Sequence, residues 1–243
     1  MNIIAITAAL IVVAAPLFAQ APAAPTGHWE GTIQVPNKDV QIAVDLMKNA
    51  DGVLTATFTR PGGKMSGFPL MNVAATGKSV RFAIVATTGG GAFDGTLSDD
   101  AKSIAGTFYT AEGGYSIPFS LTRTGEPIVA PPIVNSSVGK ELEGTWNGTL
   151  DINGKPSRLV LTLANQRDGT AKADMAFLDL AGMTIGIGVQ QKATSVTLEL
   201  KPVGGSFSGT LNATATEIAG AYSTEGITLP LTLRRATSAG GKP

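Results

Sequence analysis

The chain has 243 residues, and its 18 Lys+Arg balance 18 Asp+Glu, so no basic surplus exists to neutralise phosphates or anionic lipid. Nucleic acid and a polybasic membrane contact are therefore not expected. Cysteine is absent, which excludes disulfides, thiolate metal sites, a Cys nucleophile and a lipid-modified N-terminal Cys.

Residues 1–19 read as a signal peptide, because Ile3 to Phe18 is almost wholly apolar, broken by Thr7 and Pro16. Cleavage is expected after Ala19 or after Ala21, the second weakened by Pro22. Met1-Asn2 offers no Lys or Arg, so an uncleaved anchor is the alternative. Against the anchor, the run is short for a span of about twenty residues and no flanking basic residue orients it. Cleavage would leave a periplasmic or secreted protein with no membrane span.

Residues 20–26 form a Pro/Ala spacer. The unit 27–124 then opens on Gly27-His28-Trp29-Glu30-Gly31-Thr32. A Pro-rich linker, 125–141, separates it from the unit 142–236, which opens on Gly144-Thr145-Trp146-Asn147-Gly148-Thr149. Residues 237–243 are expected to be a disordered tail. The linker should be extended, and the two units should fold independently. Ile128, Val129, Ile133 and Val134 complicate that expectation, and could lie along a barrel or bridge the two.

The two units are copies. Phe93-Asp94-Gly95-Thr96-Leu97 matches Phe207-Ser208-Gly209-Thr210-Leu211, and Ile104-Ala105-Gly106 matches Ile218-Ala219-Gly220. Pro118-Phe119-Ser120-Leu121 matches Pro230-Leu231-Thr232-Leu233 in the same order. Within each unit the apolar period is two, as in Val40, Ile42, Val44 and Leu46, or Val196, Leu198 and Leu200. Asp51-Gly52, Asn153-Gly154 and Asp168-Gly169 mark turns between such runs. About eight strands are expected in the first unit, starting near His28, Val40, Val53, Phe68, Ser79, Gly91, Ser103 and Tyr115.

The predicted class is therefore all-β: two tandem antiparallel up-and-down barrels of about eight short strands each, a closure that removes sheet edges. Gly31, Gly95, Gly106, Gly148, Gly209 and Gly220 would leave room for bulky inward neighbours and for the bend of a small barrel.

Gly-x-Trp opening the first strand, with an arginine closing the last, resembles the calycin group of lipocalins, fatty-acid-binding proteins and avidins. That resemblance implies lipocalin-like barrels in which the arginine packs across the tryptophan at the closed end. Trp29 would pair with Arg123, and Trp146 with Arg234 or Arg235. The order of motifs also resembles a β-rich module found ahead of the catalytic domain in exported bacterial α/β-hydrolases. By that resemblance the chain holds two modules and no catalytic domain, and its second copy departs from the pattern around Leu178 to Val189.

Catalytic chemistry is largely missing. His28 is the only histidine, and its counterpart in the second unit is Thr145, so it reads as a barrel-end side chain. No zinc or copper site, no Gly-x-Ser-x-Gly elbow and no dinucleotide or phosphate loop is present. Glu30, Asp45 and Asp94 are expected on the solvated outer face. The chain is therefore expected not to be an enzyme, and to need no cofactor or metal.

The inward set has Phe82, Phe93 and Phe108 in the first unit and Phe207 and Tyr222 in the second. These residues make either a filled core or an apolar cup open at one end. The expected partner is a small apolar ligand, or an envelope protein or polymer. The alternative is a structural module that partners a separately encoded hydrolase.

Overall fold

The computed structural model describes residues 24–63, 65–86, 90–224 and 226–236. The expected signal peptide, most of the spacer and the expected tail lie outside these residues.

The chain forms two antiparallel sheets, each curled into a nearly closed barrel. The first holds β1 (Gly27–Val35), β2 (Lys38–Lys48), β3 (Leu54–Thr59), β4 (Phe68–Pro69), β5 (Met71–Thr76), β6 (Ser79–Ile84), β7 (Gly91–Leu97), β8 (Ser103–Thr110) and β9 (Ser116–Gly125). The second holds β10 (Asn135–Ser136), β11 (Gly144–Ile152), β12 (Lys155–Asn165), β13 (Thr170–Phe177), β14 (Met183–Gly186), β15 (Gly188–Lys192), β16 (Ser195–Leu200), β17 (Gly205–Leu211), β18 (Glu217–Thr224) and β19 (Ile227–Arg235). A 3-10 turn, Lys201–Val203, joins β16 to β17.

Each meander wraps round so that its first long strand pairs with its last, β1 with β9 and β11 with β19. The counts differ from eight because one strand per barrel is split and because the second sheet also takes in β10. In the first barrel the split falls at Leu70. β4 pairs back with β3, β5 pairs forward with β6, and the Leu70 N–H donates to the Ala56 carbonyl at 2.9 Å. In the second it falls at Ile187. β14 pairs with β13, β15 with β16, and the Ile187 N–H donates to the Ala173 carbonyl at 2.9 Å. A strand that must bond to one neighbour at its start and to the opposite neighbour at its end cannot keep one straight ladder. It breaks where it changes partner, and each barrel keeps a seam there.

Period-two side chains fill the two interiors. Trp29, Ile33, Phe82, Phe93, Phe108, Phe119 and Leu121 are all buried, as are Trp146, Leu161, Leu198, Phe207, Tyr222 and Leu231. β2 departs from simple alternation, because Ile42 to Leu46 is buried without a break. Asp45 belongs to the outer face by alternation, yet it is buried too. The expectation of a solvated Asp45 is corrected here. The chain after β9 returns over it, and the Ile128 N–H donates to Asp45 Oδ1 at 2.7 Å. Glu30 and Asp94 do keep exposed outer-face side chains, Asp94 in an ion pair with Arg81 at 2.9 Å.

Candidate functional site

Three places gather side chains of possible use: the Trp/Arg barrel ends, the interiors, and the stretch between the barrels. At the barrel ends both indoles are fully buried. Trp29 Nε1 donates to the Pro25 carbonyl at 2.9 Å and Trp146 Nε1 to the Leu142 carbonyl at 3.0 Å, each four residues back. The Arg235 guanidinium lies 4.2 Å from the centre of the Trp146 ring, a cation–π contact. It also donates to the carbonyls of Ala215 at 2.7 Å, Glu143 at 2.6 Å and Glu141. Arg234 points outward to Glu217 at 3.3 Å. Of the two arginines offered by the sequence, Arg235 therefore holds the barrel end and Arg234 does not.

In the first barrel Arg123 faces Trp29 across the ladder and folds over Gly27, where a Cβ would fall 2.5 Å from its Nε. The same crowding holds at Gly144, whose φ is +117° and whose Cβ would lie 3.0 Å from Arg235 Nη1. Glycine is needed at the start of Gly-x-Trp because the arginine occupies the space of a side chain.

The interior residues expected to line a cup pack on one another. Phe82 stacks on Phe93 with centroids 4.7 Å apart, and Phe93 meets Phe108 at 4.5 Å and Phe119 edge-on at 5.1 Å. Such pairs add about 0.5–1.5 kcal/mol each beyond their burial. Phe207 and Tyr222 are opposed across β17 and β18 and are also buried. The surface clefts beside residues 130–137, 204–206 and 147–149 are not lined by Phe82, Phe93, Phe108, Phe207 or Tyr222.

Burial pushes the Tyr222 hydroxyl above its ordinary value, and a hydrogen bond with Thr224 opposes this. The folded chain therefore holds that proton more tightly than the unfolded chain. Stability from this group is fully present below about pH 10, the ordinary tyrosine value, and is lost as pH rises above it. The urea midpoint of the second barrel should fall on the alkaline side of about pH 10. Tyr222→Phe should flatten that fall.

The stretch between the barrels is pinned at both ends. At one end His28 Nδ1 sits 2.7 Å from Asp45 Oδ1, which also takes the Ile128 N–H. This is an imidazole held by an orienting carboxylate, half of a hydrolytic triad. Its other nitrogen meets Glu30 Oε1 at 3.5 Å, and a carboxylate there is not the hydroxyl nucleophile a triad requires. At the other end Asn135 is buried in the seam of the second barrel. Its Nδ2 donates to the Ile187 carbonyl at 3.0 Å and the Ala171 carbonyl at 3.4 Å, and its Oδ1 accepts from the Val189 N–H at 2.8 Å. One carboxamide thus joins β13 to β15, which no main-chain ladder bridges. Asn135 and Ser136 fall in the stretch read as linker, and sequence reasoning missed Asn135 and Asp45. The one signal was the excess of apolar side chains in 125–141.

Asn135→Ala would leave these buried backbone groups without partners, at a cost on the order of 2–4 kcal/mol. In urea melts, fragment 133–243 should accordingly be clearly more stable than fragment 142–243, which lacks β10. Equal midpoints would mean that the seam does not need Asn135.

Between the pins, Ile128, Val129, Ile133 and Val134 stay exposed. Ala130–Ser137 also form one wall of a cleft of about 850 Å³, whose floor includes Gly188–Gln191. No group of three or more His, Cys, Asp or Glu suited to a metal ion occurs among the described residues.

No family model matches this chain, and no curated protein matches it. Several solved structures resemble it, and two of them illustrate the likeness. One is a protein of Bacteroides fragilis, provisionally described as an outer membrane protein, with 12% identity, 86% of this chain and 95% of that chain covered, and a TM-score of 0.30. The other is a protein of unknown function of the DUF3598 family from Nostoc punctiforme, with 14% identity, 87% and 96% covered, and a TM-score of 0.25. At these scores neither likeness bears on function or location.

Proposed function

We propose that the chain is an exported, non-catalytic interaction protein that binds a component of the cell envelope through its outer surface. The observation that carries this reading is the contrast between full interiors and a held, exposed apolar stretch. Both barrels are packed with their own side chains, which favours the surface over a small apolar ligand in a cup. Ile128, Val129, Ile133 and Val134 remain exposed although the chain around them is tied to both barrels. Apolar side chains held in water by built contacts are a feature of interaction surfaces. Export rests on the apolar run in residues 1–19. Kinship with the calycins is supported by Arg235 over Trp146. The His28–Asp45 pair, which meets Glu30 instead of a nucleophile, supports a non-catalytic role.

The test is co-sedimentation of the purified protein with isolated cell-wall and outer-membrane fractions, alongside native mass spectrometry. Saturable sedimentation that is lost when Val129 and Val134 are both changed to Ser is the expected result. A retained lipid-sized mass with no sedimentation would favour the cup instead.

A further inference from the structure

The duplicated chain allows its two closing ladders to be compared position by position. In the first barrel β1 and β9 stay paired from His28 and Gly125 through to Ile33 and Phe119. In the second, the ladder of β11 and β19 consists of Trp146 with Arg235 and Asn147 with Arg234. By the duplication, Gly148 would next face Leu233, and Thr149 would face Thr232. The two strands part there instead. A Cβ on Gly31 would fall on the Ser120 carbonyl oxygen, whereas one on Gly148 would stay 3.2 Å from the matching Thr232 oxygen. The Leu233 and Leu231 side chains stand behind the parting, 2.7 and 3.0 Å from that Cβ, and close it off from the core.

A cleft of about 580 Å³ lies along the parted strands. Asn147 and Thr149 of β11, Thr232 and Arg234 of β19 and Arg158 of β12 line it, and all five are exposed. Arg158 lies opposite Thr149 and Arg234 opposite Asn147, so one arginine stands on each side of β11. The first copy has Gln41 opposite Thr32 and Thr122 opposite Glu30. Two arginines thus stand where the first copy is neutral, and Asn147 stands where it is acidic. Both arginines are held in place. Arg158 donates to Asp179 through Nε at 2.9 Å and through Nη2, and Asp179 also takes its main-chain N–H at 2.7 Å. Arg234 reaches Glu217 at 3.3 Å. Neither carboxylate lines the cleft, so its charged lining is cationic. The bonds to Asp179 use one edge of the Arg158 fork, and a guanidinium carries further N–H donors on its other edge.

We propose that this cleft binds an acidic polysaccharide, a chain of sugar units that carry carboxylate or phosphate groups. Arginine suits either oxyanion, because its planar fork meets two of their oxygens at once. Arg158 and Arg234 are anchored on opposite sides of β11, by Asp179 and by Glu217, so they address two oxyanions along a chain rather than one small ion. Asn147, Thr149 and Thr232 between them supply donors and acceptors for sugar hydroxyls. Pro230 and the exposed Leu178 offer apolar surface to the C–H faces of the rings. The charge of the whole chain is balanced, so attraction for a polyanion would come from this local pair. The site goes beyond the envelope contact assigned to the apolar stretch. It draws on different residues, so failure of either in its own assay leaves the other standing.

The probes are fluorescently labelled hexagalacturonate and pentamannose phosphate, titrated into the full chain and followed by anisotropy, with labelled maltohexaose as the neutral comparison. Saturable binding of an acidic probe is expected, at least tenfold tighter than that of maltohexaose, and the probe that binds distinguishes carboxylate from phosphate. Arg158→Gln with Arg234→Thr restores the residues of the first copy and should weaken binding at least tenfold. Lys38→Gln with Lys48→Gln removes the same charge from exposed positions of the first barrel and should leave binding unchanged. Equal loss in the two double variants would mean attraction by net charge alone, and would overturn the site. A photo-reactive version of the acidic probe, used on the unaltered chain, makes the result independent of how the arginine variant folds. Cross-links at residues 147–149, 158 and 230–234 support the cleft, and cross-links confined to other segments would overturn it. So would the absence of saturable binding by either acidic probe, or equal binding of maltohexaose.

Discussion

Trp146→Ala is expected to cost on the order of 3–5 kcal/mol, the range for deleting a buried aromatic side chain. That is a fifth or more of the stability of a small domain, about 5–15 kcal/mol. The indole is fully buried and its Nε1 satisfies the Leu142 carbonyl. Its face also carries Arg235, which in turn ties down Ala215, Glu143 and Glu141. Removing the ring therefore opens a cavity, frees a buried carbonyl and leaves the arginine without its platform. Trp146→Phe separates these effects, since it retains most of the packing and loses the Leu142 bond. The chain provides its own reporter, because the only other tryptophan, Trp29, lies in the first barrel. In urea melts of Trp146→Ala, circular dichroism should show an early loss of the second barrel. Trp29 fluorescence should still report a first-barrel transition near its original midpoint. A variant as stable as its parent would mean that the barrel end does not depend on the indole.

Much of this architecture was legible in the sequence because duplication and alternation are local signals. The Trp motifs, the Phe-x-Gly-x-Leu pair and the period-two runs each require only neighbours in the chain. They place Trp29, Phe93 and Leu198 inside without any knowledge of the partner strands. The split strands were not legible, since Leu70 and Ile187 read as ordinary residues of a strand. The break arises from barrel closure, where one strand must serve two neighbours. Asp45 and Asn135 were missed for a related reason. Each is polar at a position that local rules assign to solvent, and each is buried by a segment distant in sequence, Ile128 over Asp45 and β13 with β15 around Asn135. The choice between Arg234 and Arg235 also needed the fold. Adjacent residues on a strand point to opposite faces, and only the bonds at the barrel end distinguish them.

Gly106→Ala and Gly220→Ala should be, with Gly31→Ala, among the most damaging single-methyl changes, since in all three a new Cβ would fall on a carbonyl oxygen of the facing strand. Gly106 faces Gly95 across β7 and β8, and Gly220 faces Gly209 across β17 and β18. A Cβ on Gly106 would fall on the Asp94 carbonyl oxygen and 2.7 Å from the Gly95 Cα. On Gly220 it would fall on the Ser208 carbonyl oxygen and 2.5 Å from the Gly209 Cα. Those neighbours are main chain, so relief requires the two strands to part. The cost should exceed the roughly 1–3 kcal/mol of ordinary overpacking, and pass the 4 kcal/mol or so that marks exceptional substitutions. Gly95→Ala is the graded comparison. Its new methyl would meet side-chain ends, Ile104 Cγ2 at 2.7 Å and Phe119 Cζ at 2.9 Å, which can shift. Gly77→Ala is the mild one, with open space and a φ of +59°, at a conformational cost of about 1–2 kcal/mol. Urea midpoints should rank the variants Gly106→Ala lowest, then Gly95→Ala, then Gly77→Ala. A Gly106→Ala chain as stable as Gly77→Ala would show that β7 and β8 can part far enough to admit a methyl without loss, and that the Gly–Gly pair is not what lets the barrel close.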